Sequence, residues 1–372
     1  MSGLYIHIPF CRKACVYCDF HFSTNLEKKE NLVDAICREI DLRKDYLSDN
    51  KLNSIYFGGG TPSLLSISEL EKIFLVVENT FEVAPNAEIT FEINPEDAVL
   101  NYLKEIKQIG INRLSVGLQS FNKDELKWMN RAHASQQNFE AVKTAQQAGF
   151  DNISIDLIYG SKFQSLETWR DTLQKAFSLG TKHISSYNLT VESKTKLAQL
   201  IKEKKEKDIG QEKSAELFDV LMQETEKNGF VQYEISNFCR PGFEAVHNSN
   251  YWKGEHYLGV GPSAHSYNGT ARRFNVKSNS QYIKALTEEK TFYEEEILSA
   301  DNKYNEYVLT RLRTQWGCDI SEIENSFGRK YSEHFLKGLK EHAQHILIDK
   351  NIVTLNRRGK HFADGIASDL FY

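Results

Sequence analysis

From residue 3 to about 190 the chain alternates short runs rich in β-branched and aromatic residues with longer stretches whose apolar positions recur at helical spacing. Six runs read as strands: LYIHIP (4–9), NSIYFGG (53–59), EITFEI (88–93), INRLSVG (111–117), NISIDLIYG (152–160) and KHISSYNL (182–189). Between them, EKKENLVDAICREIDLRKDYL and SQQNFEAVKTAQQAG carry amphipathic helical spacing, and Gly149 stands where the second helix needs a C-cap. Repeated βα units predict a parallel sheet, and six are too few to close an eight-stranded barrel. The expected fold is therefore α/β, a partial (β/α)6 TIM-like barrel whose ligands lie at the C-terminal ends of the strands.

The pattern changes at KEKKEKD (202–208), a charge run that reads as a solvated helix face or loop and marks the end of the barrel. After the helical stretch SAELFDVLMQETEKNG comes a segment dense in Gly, Asn and aromatics, FVQYEISNFCRPGFEAVHNSNYWKGEHYLGVGPSAHSY. It is expected to form functional loops on an α+β extension. Beyond residue 298, three helical runs precede an expected hairpin, ILIDKNIVTLNRRGKHF, which suggests a small winged-helix-like module. The expected division is thus 1–200 for the barrel, 201–297 for the extension and 298–372 for the module.

Composition narrows the classes. With 372 residues, 40% hydrophobic and 26% charged, the chain can bury a sizeable core. No run approaches the ~20 apolar residues of a membrane span, and no apolar h-region follows a basic start. A net charge of -5 lacks the positive field of a nucleic-acid binder, so nucleic acid is not an expected partner. The six cysteines do not form a disulfide framework: three fall within eight residues and Cys37, Cys239 and Cys318 are isolated. A reducing cytoplasm is the expected compartment.

The clustered three form CxxxCxxC, Cys11, Cys15 and Cys18, directly after the first strand. Three thiolates on one short loop suit three corners of a [4Fe–4S] cube and leave the fourth iron open to a chelating small molecule. Zinc is the alternative. It would need a fourth protein ligand, most simply His7 or His21. Further along, FGGGTP ends the second strand, where glycines allow close approach to the backbone. Glu92, Gln119, Arg131 and Asp156 are polar or charged at strand ends that otherwise run apolar, and a carboxylate such as Glu92 suits ribose hydroxyls. Taken singly, each could be a satisfied structural polar group.

YIHIPFCRKACVYCDF, FGGGTPS, FEINPE, SVGLQSF, NRAH, DLIYG and HNSNYW together resemble the radical S-adenosylmethionine (SAM) group of oxygen-independent coproporphyrinogen III oxidase-like proteins, most closely its heme chaperone branch. The resemblance covers nearly the whole chain. It implies that Cys11, Cys15 and Cys18 ligate a [4Fe–4S] cluster and that Tyr5, Tyr17, Gly59, Gly60, Thr61, Glu92, Gln119, Arg131 and Asp156 line the SAM site. Leu258 to Gly261 would add backbone contacts. The true oxidases carry a further cysteine two residues after the third ligand, where this chain has Phe20, and a long N-terminal extension, where here little precedes Cys11. Coproporphyrinogen oxidase activity is therefore not expected.

His247-Asn248-Ser249-Asn250-Tyr251-Trp252 matches the HNxxYW motif of the chaperone branch. An imidazole is a ready heme-iron ligand, and Tyr251 and Trp252 could wall a porphyrin face. On residue chemistry alone the motif could equally cap a turn and fill a core. The resemblance favours His247 as heme ligand, with Cys239 and His265 as rivals. The function implied is a chaperone that binds heme as cargo and delivers it to a recipient hemoprotein, a respiratory cytochrome being the expected class, docked at the inner membrane surface. The alternative is a radical SAM oxidoreductase of the coproporphyrinogen III dehydrogenase type that generates a 5′-deoxyadenosyl radical. The electron donor and any homodimer interface are not legible in the chain.

Overall fold

The computed structural model describes residues 2–208 and 210–372. All six expected strands form: β1 (Ser2–Ile8), β2 (Lys51–Gly59), β3 (Glu82–Ile93), β4 (Arg113–Gln119), β5 (Asn152–Tyr159) and β6 (His183–Asn188). They pair in parallel in chain order. The helices between them include Lys29–Leu42, Ile67–Thr80 and Ser135–Gln147. Ile67–Thr80 starts on a Ser66/Glu69 capping box, and Gly149 adopts the left-handed φ of 93° expected just past Ser135–Gln147.

The extension enlarges this sheet on both sides. From it come β7 (Val231–Gln232), β8 (Asn237–Cys239), β9 (Tyr257–Val260), β10 (His265–Tyr267), β11 (Ala271–Asn275) and β12 (Tyr293–Ile297). The order is β12-β11-β10-β9-β1-β2-β3-β4-β5-β6-β8-β7. Strand β9, from YLGVG, runs parallel to β1 with Gly3 opposite Tyr257 and Ile6 opposite Val260, so the parallel run gains a strand at the free edge of β1.

Period two decides what each barrel strand does. Leu4, Ile6 and Ile8, Ile55 and Phe57, Leu114 and Val116, and Ile153, Ile155 and Leu157 are all buried, and they join helix residues such as Leu32, Ile36, Leu70 and Ile73 in one core. Full burial of each large aliphatic side chain contributes roughly 1.5–3 kcal/mol. The alternate positions face the lumen, and they are polar: Tyr5 and His7, Ser54 and Tyr56, Thr90 and Glu92, Arg113 and Ser115, Ser154 and Asp156. Barrel interiors are ordinarily filled with branched apolar side chains. A polar lumen leaves space and hydrogen-bonding groups for a ligand.

One buried ionic network ties the barrel to the extension. Glu39, on helix Lys29–Leu42, is fully buried and accepts from Arg43 Nη1 at 2.9 Å, Asn275 Nδ2 at 2.8 Å, the Gly261 amide at 2.8 Å and the Tyr282 hydroxyl. Arg43 in turn donates to the Gly259 carbonyl at 3.1 Å and Ser266 Oγ at 3.0 Å.

Residues beyond 300 build a second core around Tyr304, Val308, Ile323, Tyr331, Phe335 and Val353. Helices Ala300–Leu312, Ile320–Phe327 and Arg329–Gly338 pack with a three-stranded sheet containing the expected hairpin, Ile346–Asp349 with Ile352–Leu355. A final helix, Ala363–Asp369, had no clear periodic signal. Among the described residues no helix is long and apolar enough to cross a membrane.

Candidate functional site

The cysteine loop leaves β1 at Pro9 and is closed at its base, where the Cys11 amide donates to the Ser23 carbonyl at 3.0 Å and the Ser23 amide to the Pro9 carbonyl at 2.8 Å. Its far side is held by Asn130 Nδ2 on the Ala14 carbonyl at 2.7 Å and by the Val16 amide on the Met129 carbonyl at 3.2 Å. Arg12 is pinned outward to buried Asp97 at 2.6 Å, and Ser63 Oγ holds the other carboxylate oxygen at 2.8 Å. The three thiols are free and half-buried. Burial pushes Cys11 up to about 11 and Cys18 up to about 12, so thiolates form here only where a strong positive centre displaces the protons.

Neither candidate for a fourth protein ligand is oriented toward these thiols. His7 uses Nδ1 on the Tyr5 hydroxyl at 3.0 Å and Nε2 on the His21 carbonyl at 3.0 Å, while His21 Nε2 meets Asn279 Oδ1 at 2.7 Å. Among the described residues no three His, Cys, Asp or Glu side chains converge on a single metal-ion position. Three spread thiols beside an open cavity fit a cube with one corner free to chelate a small molecule.

That cavity, about 420 Å³, opens beside the three cysteines and descends into the polar lumen. Of the nine residues expected around SAM, all but Tyr5 line it. Tyr5 lies beneath, its hydroxyl on His7 and its ring stacked 6.4 Å from His247. Glu92 accepts the Tyr56 hydroxyl at 2.8 Å and the Gly59 amide at 3.2 Å, and Asp156 accepts Ser115 Oγ at 3.0 Å. Arg131 donates to Asn94 Oδ1 at 2.6 Å and the Gly117 carbonyl at 2.9 Å, and its Nη1 stands 3.7 Å from Cys15 Sγ. Gln119 reaches the cavity because β4 slips register after Val116, leaving a non-glycine residue at φ 64°. Such a strained position at a ligand cavity is a functional signal.

Gly59 and Gly60 of FGGGTP line the cavity and also make a second close contact. A Cβ on Gly60 would stand 2.5 Å from the Phe10 carbonyl, and one on Gly59, at φ 104°, 2.4 Å from the His7 ring. They let the β2 loop press against the root of the cysteine loop while still lining the cavity. None of Leu258 to Gly261 lines the cavity. Leu258 to Val260 lie in β9 and Gly261 follows it, where a Cβ would meet the His7 carbonyl at 2.5 Å.

Burial raises Glu92 to about 7 and Asp156 to about 6, partly opposed by their hydroxyl donors. A carboxyl raised on folding holds its proton to higher pH than in the unfolded chain, so unfolding releases protons in that window. The ligand-free chain is therefore expected to lose stability as pH rises from about 4.5 to about 7. Glu92→Gln should match the wild type at pH ~4 and exceed it at pH ~8 by a few kcal/mol. Urea unfolding at both pH values checks this; equal stabilities at the higher pH would refute it.

HNxxYW forms the short helix Val246–Lys253, ended by Gly254 at φ 73°. It does not line the cluster mouth; it closes the opposite, N-terminal end of the barrel. The amides of Val246 and His247 donate to the two oxygens of buried Glu88, both at 2.9 Å, and Arg113 stands 3.7 Å from that carboxylate. His247 is 2% exposed, with Nδ1 on Ser54 Oγ at 2.9 Å and Nε2 on the Tyr251 hydroxyl at 2.9 Å. Burial first, then Arg113, lowers its pKa to about 3, so the imidazole is neutral. Trp252 lies half-buried with Arg313 over its ring at 5.5 Å. Of the rival heme ligands, Cys239 is fully buried in β8, whereas His265 is exposed beside Phe274, ring centroids 4.7 Å apart.

Tyr56, Arg113, Ser115, Ser185 and Tyr187 also line the cavity, as does Asn248 of HNxxYW. The five strand residues occupy polar alternate positions, a signal present in the sequence beside the apolar face that marks each strand.

Three comparisons bear on this geometry. Residues 5–176 match the model of the radical SAM superfamily. The chain is 33% identical to the heme chaperone HemW of Bacillus subtilis (strain 168), over 97% of this chain and 96% of that protein. It is 38% identical to HemW of a Synechocystis species over 77% of this chain and 70% of that one. Among solved structures, the radical SAM enzyme coproporphyrinogen III oxidase (HemN) of Escherichia coli superposes with a TM-score of 0.85 at 24% identity, covering 100% of this chain and 90% of that chain. At that identity the likeness speaks for the fold.

Proposed function

Because the chain belongs to the HemW family of radical SAM proteins, we propose that it is a heme chaperone, which takes up heme and hands it to a recipient hemoprotein. The observation that carries this reading is the juxtaposition of two features on one barrel: the cavity with its three free thiols at the mouth, and the HNxxYW helix closing the other end. In this reading Cys11, Cys15 and Cys18 hold the [4Fe–4S] cluster, and Tyr17, Gly59, Gly60, Thr61, Glu92, Gln119, Arg131 and Asp156 receive SAM. Tyr5 acts from behind the wall through His7. When bound, the cluster supplies one-electron reducing power beside the sulfonium of SAM.

The chain's own groups divide the work. Glu92 offers acceptors to ribose hydroxyls once it is ionised, with Tyr56 keeping it oriented. Arg131 places a permanent positive charge between the carbonyl of Gly117 and the sulfur of Cys15, suited to a carboxylate or to the negative charge of a ligated thiolate. His247 is the proposed iron ligand for heme. Delivery to a respiratory cytochrome at the inner membrane surface, an electron donor and a homodimer belong to the same proposal.

The test is an anaerobic assay of the iron-reconstituted chain with reductant and SAM, titrated with heme and separately supplied with coproporphyrinogen III. Saturable heme binding without decarboxylated porphyrin is expected. Protoporphyrinogen IX appearing together with 5′-deoxyadenosine would replace the chaperone by an oxidase.

A further inference from the structure

The HNxxYW helix presents a contradiction between chemistry and position. An iron ligand needs a free imidazole nitrogen, yet both nitrogens of His247 are engaged, one by Ser54 on β2 and one by Tyr251 within the same helix. The ring is also packed among aromatics, 5.1 Å from Tyr56 and edge-on to Tyr251 at 4.9 Å. His247 therefore cannot bind iron where it stands. The helix is nonetheless built to be released as a unit. It has eight residues and ends at a left-handed Gly254, and the turn before it contains Gly242 at φ 83°. Beside that aromatic packing, its seat is held by polar contacts: Glu88 takes the two N-terminal amides, and Asn250 Nδ2 reaches Asn53 Oδ1 at 2.9 Å. Hydrogen bonds of this kind are exchanged for water at a modest net cost, whereas an apolar seat would have to expose its area.

The next residue along faces the other way. Asn248 lines the same cavity as the cysteines, Glu92 and Asp156. Tyr56 spans the two compartments, its hydroxyl on Glu92 and its ring against His247. The helix is thus the floor of the cavity on one side and the lock on His247 on the other.

We propose that this helix is a latch with two states, a seated floor that completes the SAM cavity and an unseated form that exposes His247 to heme, so that SAM and heme oppose each other's binding. The proposal rests on the heme-chaperone reading above. A ligand in the cavity gains the Asn248 wall only while the helix is seated, and heme gains an imidazole nitrogen only when it is not. By linkage, each ligand weakens the other by the same factor. Loss of SAM from the cavity is then what arms the chain for heme uptake.

The test is heme titration of the cluster-loaded chain, followed by Soret absorption, with and without saturating SAM, in the wild type and in Tyr251→Phe. Phenylalanine keeps the ring packed on Tyr257 but frees Nε2, removing one hydrogen bond from the seated state only. SAM is expected to weaken heme binding about tenfold, within the usual range of coupling between sites. Tyr251→Phe should tighten heme binding about fivefold, the equivalent of one hydrogen bond. Ser54→Ala frees Nδ1 instead and should shift affinity in the same direction without touching Tyr251. Heme affinity indifferent to SAM, or unimproved in both variants, would overturn the latch and leave the chaperone function standing. His247→Ala binding heme as the wild type does would also overturn it and pass the iron to another ligand, His265 first. A wild-type chain that binds no heme at all would remove the chaperone reading, and the latch with it.

Discussion

Serine in place of Cys15 is expected to leave a folded chain that assembles no intact [4Fe–4S] cluster. A serine hydroxyl remains protonated near neutral pH and cannot match a thiolate on iron, so one corner of the cube loses its anchor. The loop itself should survive. Its backbone is tied to Ser23 and Met129 and its carbonyl at Ala14 to Asn130, none of which passes through a cysteine side chain. Iron and sulfide content after anaerobic reconstitution, together with circular dichroism, separates the two effects: near-zero iron with wild-type dichroism is the expected pair. Cys37→Ser, on a helix of the outer layer, should retain full iron. If Cys15→Ser kept the wild type's iron content, the ligand assignment would be wrong.

The largest loss of stability expected from one substitution outside the site comes from Glu39→Ala. The change removes a fully buried carboxylate and leaves Arg43 charged in a place where only 5% of it meets solvent. Asn275, Tyr282 and the Gly261 amide lose their acceptor at the same stroke. Breaking a buried pair by deleting one partner costs about 3–5 kcal/mol, a large share of the ~5–15 kcal/mol that holds a typical domain folded. The damage should concentrate where β9 and β10 meet helix Lys29–Leu42, since Arg43 and Glu39 are what fasten Gly259, Gly261 and Ser266 there. Glu39→Gln, which keeps an acceptor oxygen, should lose less. Urea denaturation of the two variants against wild type measures both values; a loss below ~1 kcal/mol for Glu39→Ala would mean the network is replaceable by water.

Local and periodic features were readable in the chain without its fold. The six βα units, the Gly149 terminus, the hairpin Ile346–Leu355 and the CxxxCxxC loop after the first strand all rest on interactions between near neighbours, so residue type and spacing carry them. The polar residues at strand ends were legible for the same reason. A charged or amide side chain at Glu92, Gln119, Arg131 or Asp156 contradicts the apolar pattern around it, and the cavity collects all four.

What the chain did not announce depends on contacts between segments far apart in sequence. Strand β9 is four residues long, and only its pairing with β1, some 250 positions earlier in the chain, makes it a barrel strand. The glycines of FGGGTP read equally well as a ligand cradle; the Phe10 carbonyl and the His7 ring show what they make room for. HNxxYW differs most from its reading. Its residue types suit an exposed heme ligand, but Glu88 and Ser54, both from strands of the barrel, hold the helix inward, and Ser54 and Tyr251 occupy the two nitrogens of His247. Sequence alone thus determined which elements exist and which residues carry chemistry, because backbone propensity, periodicity and side-chain chemistry are properties of short stretches. The tertiary structure decided which way those residues face and what they touch, because a histidine's availability to a metal depends on whatever the rest of the chain packs against its ring.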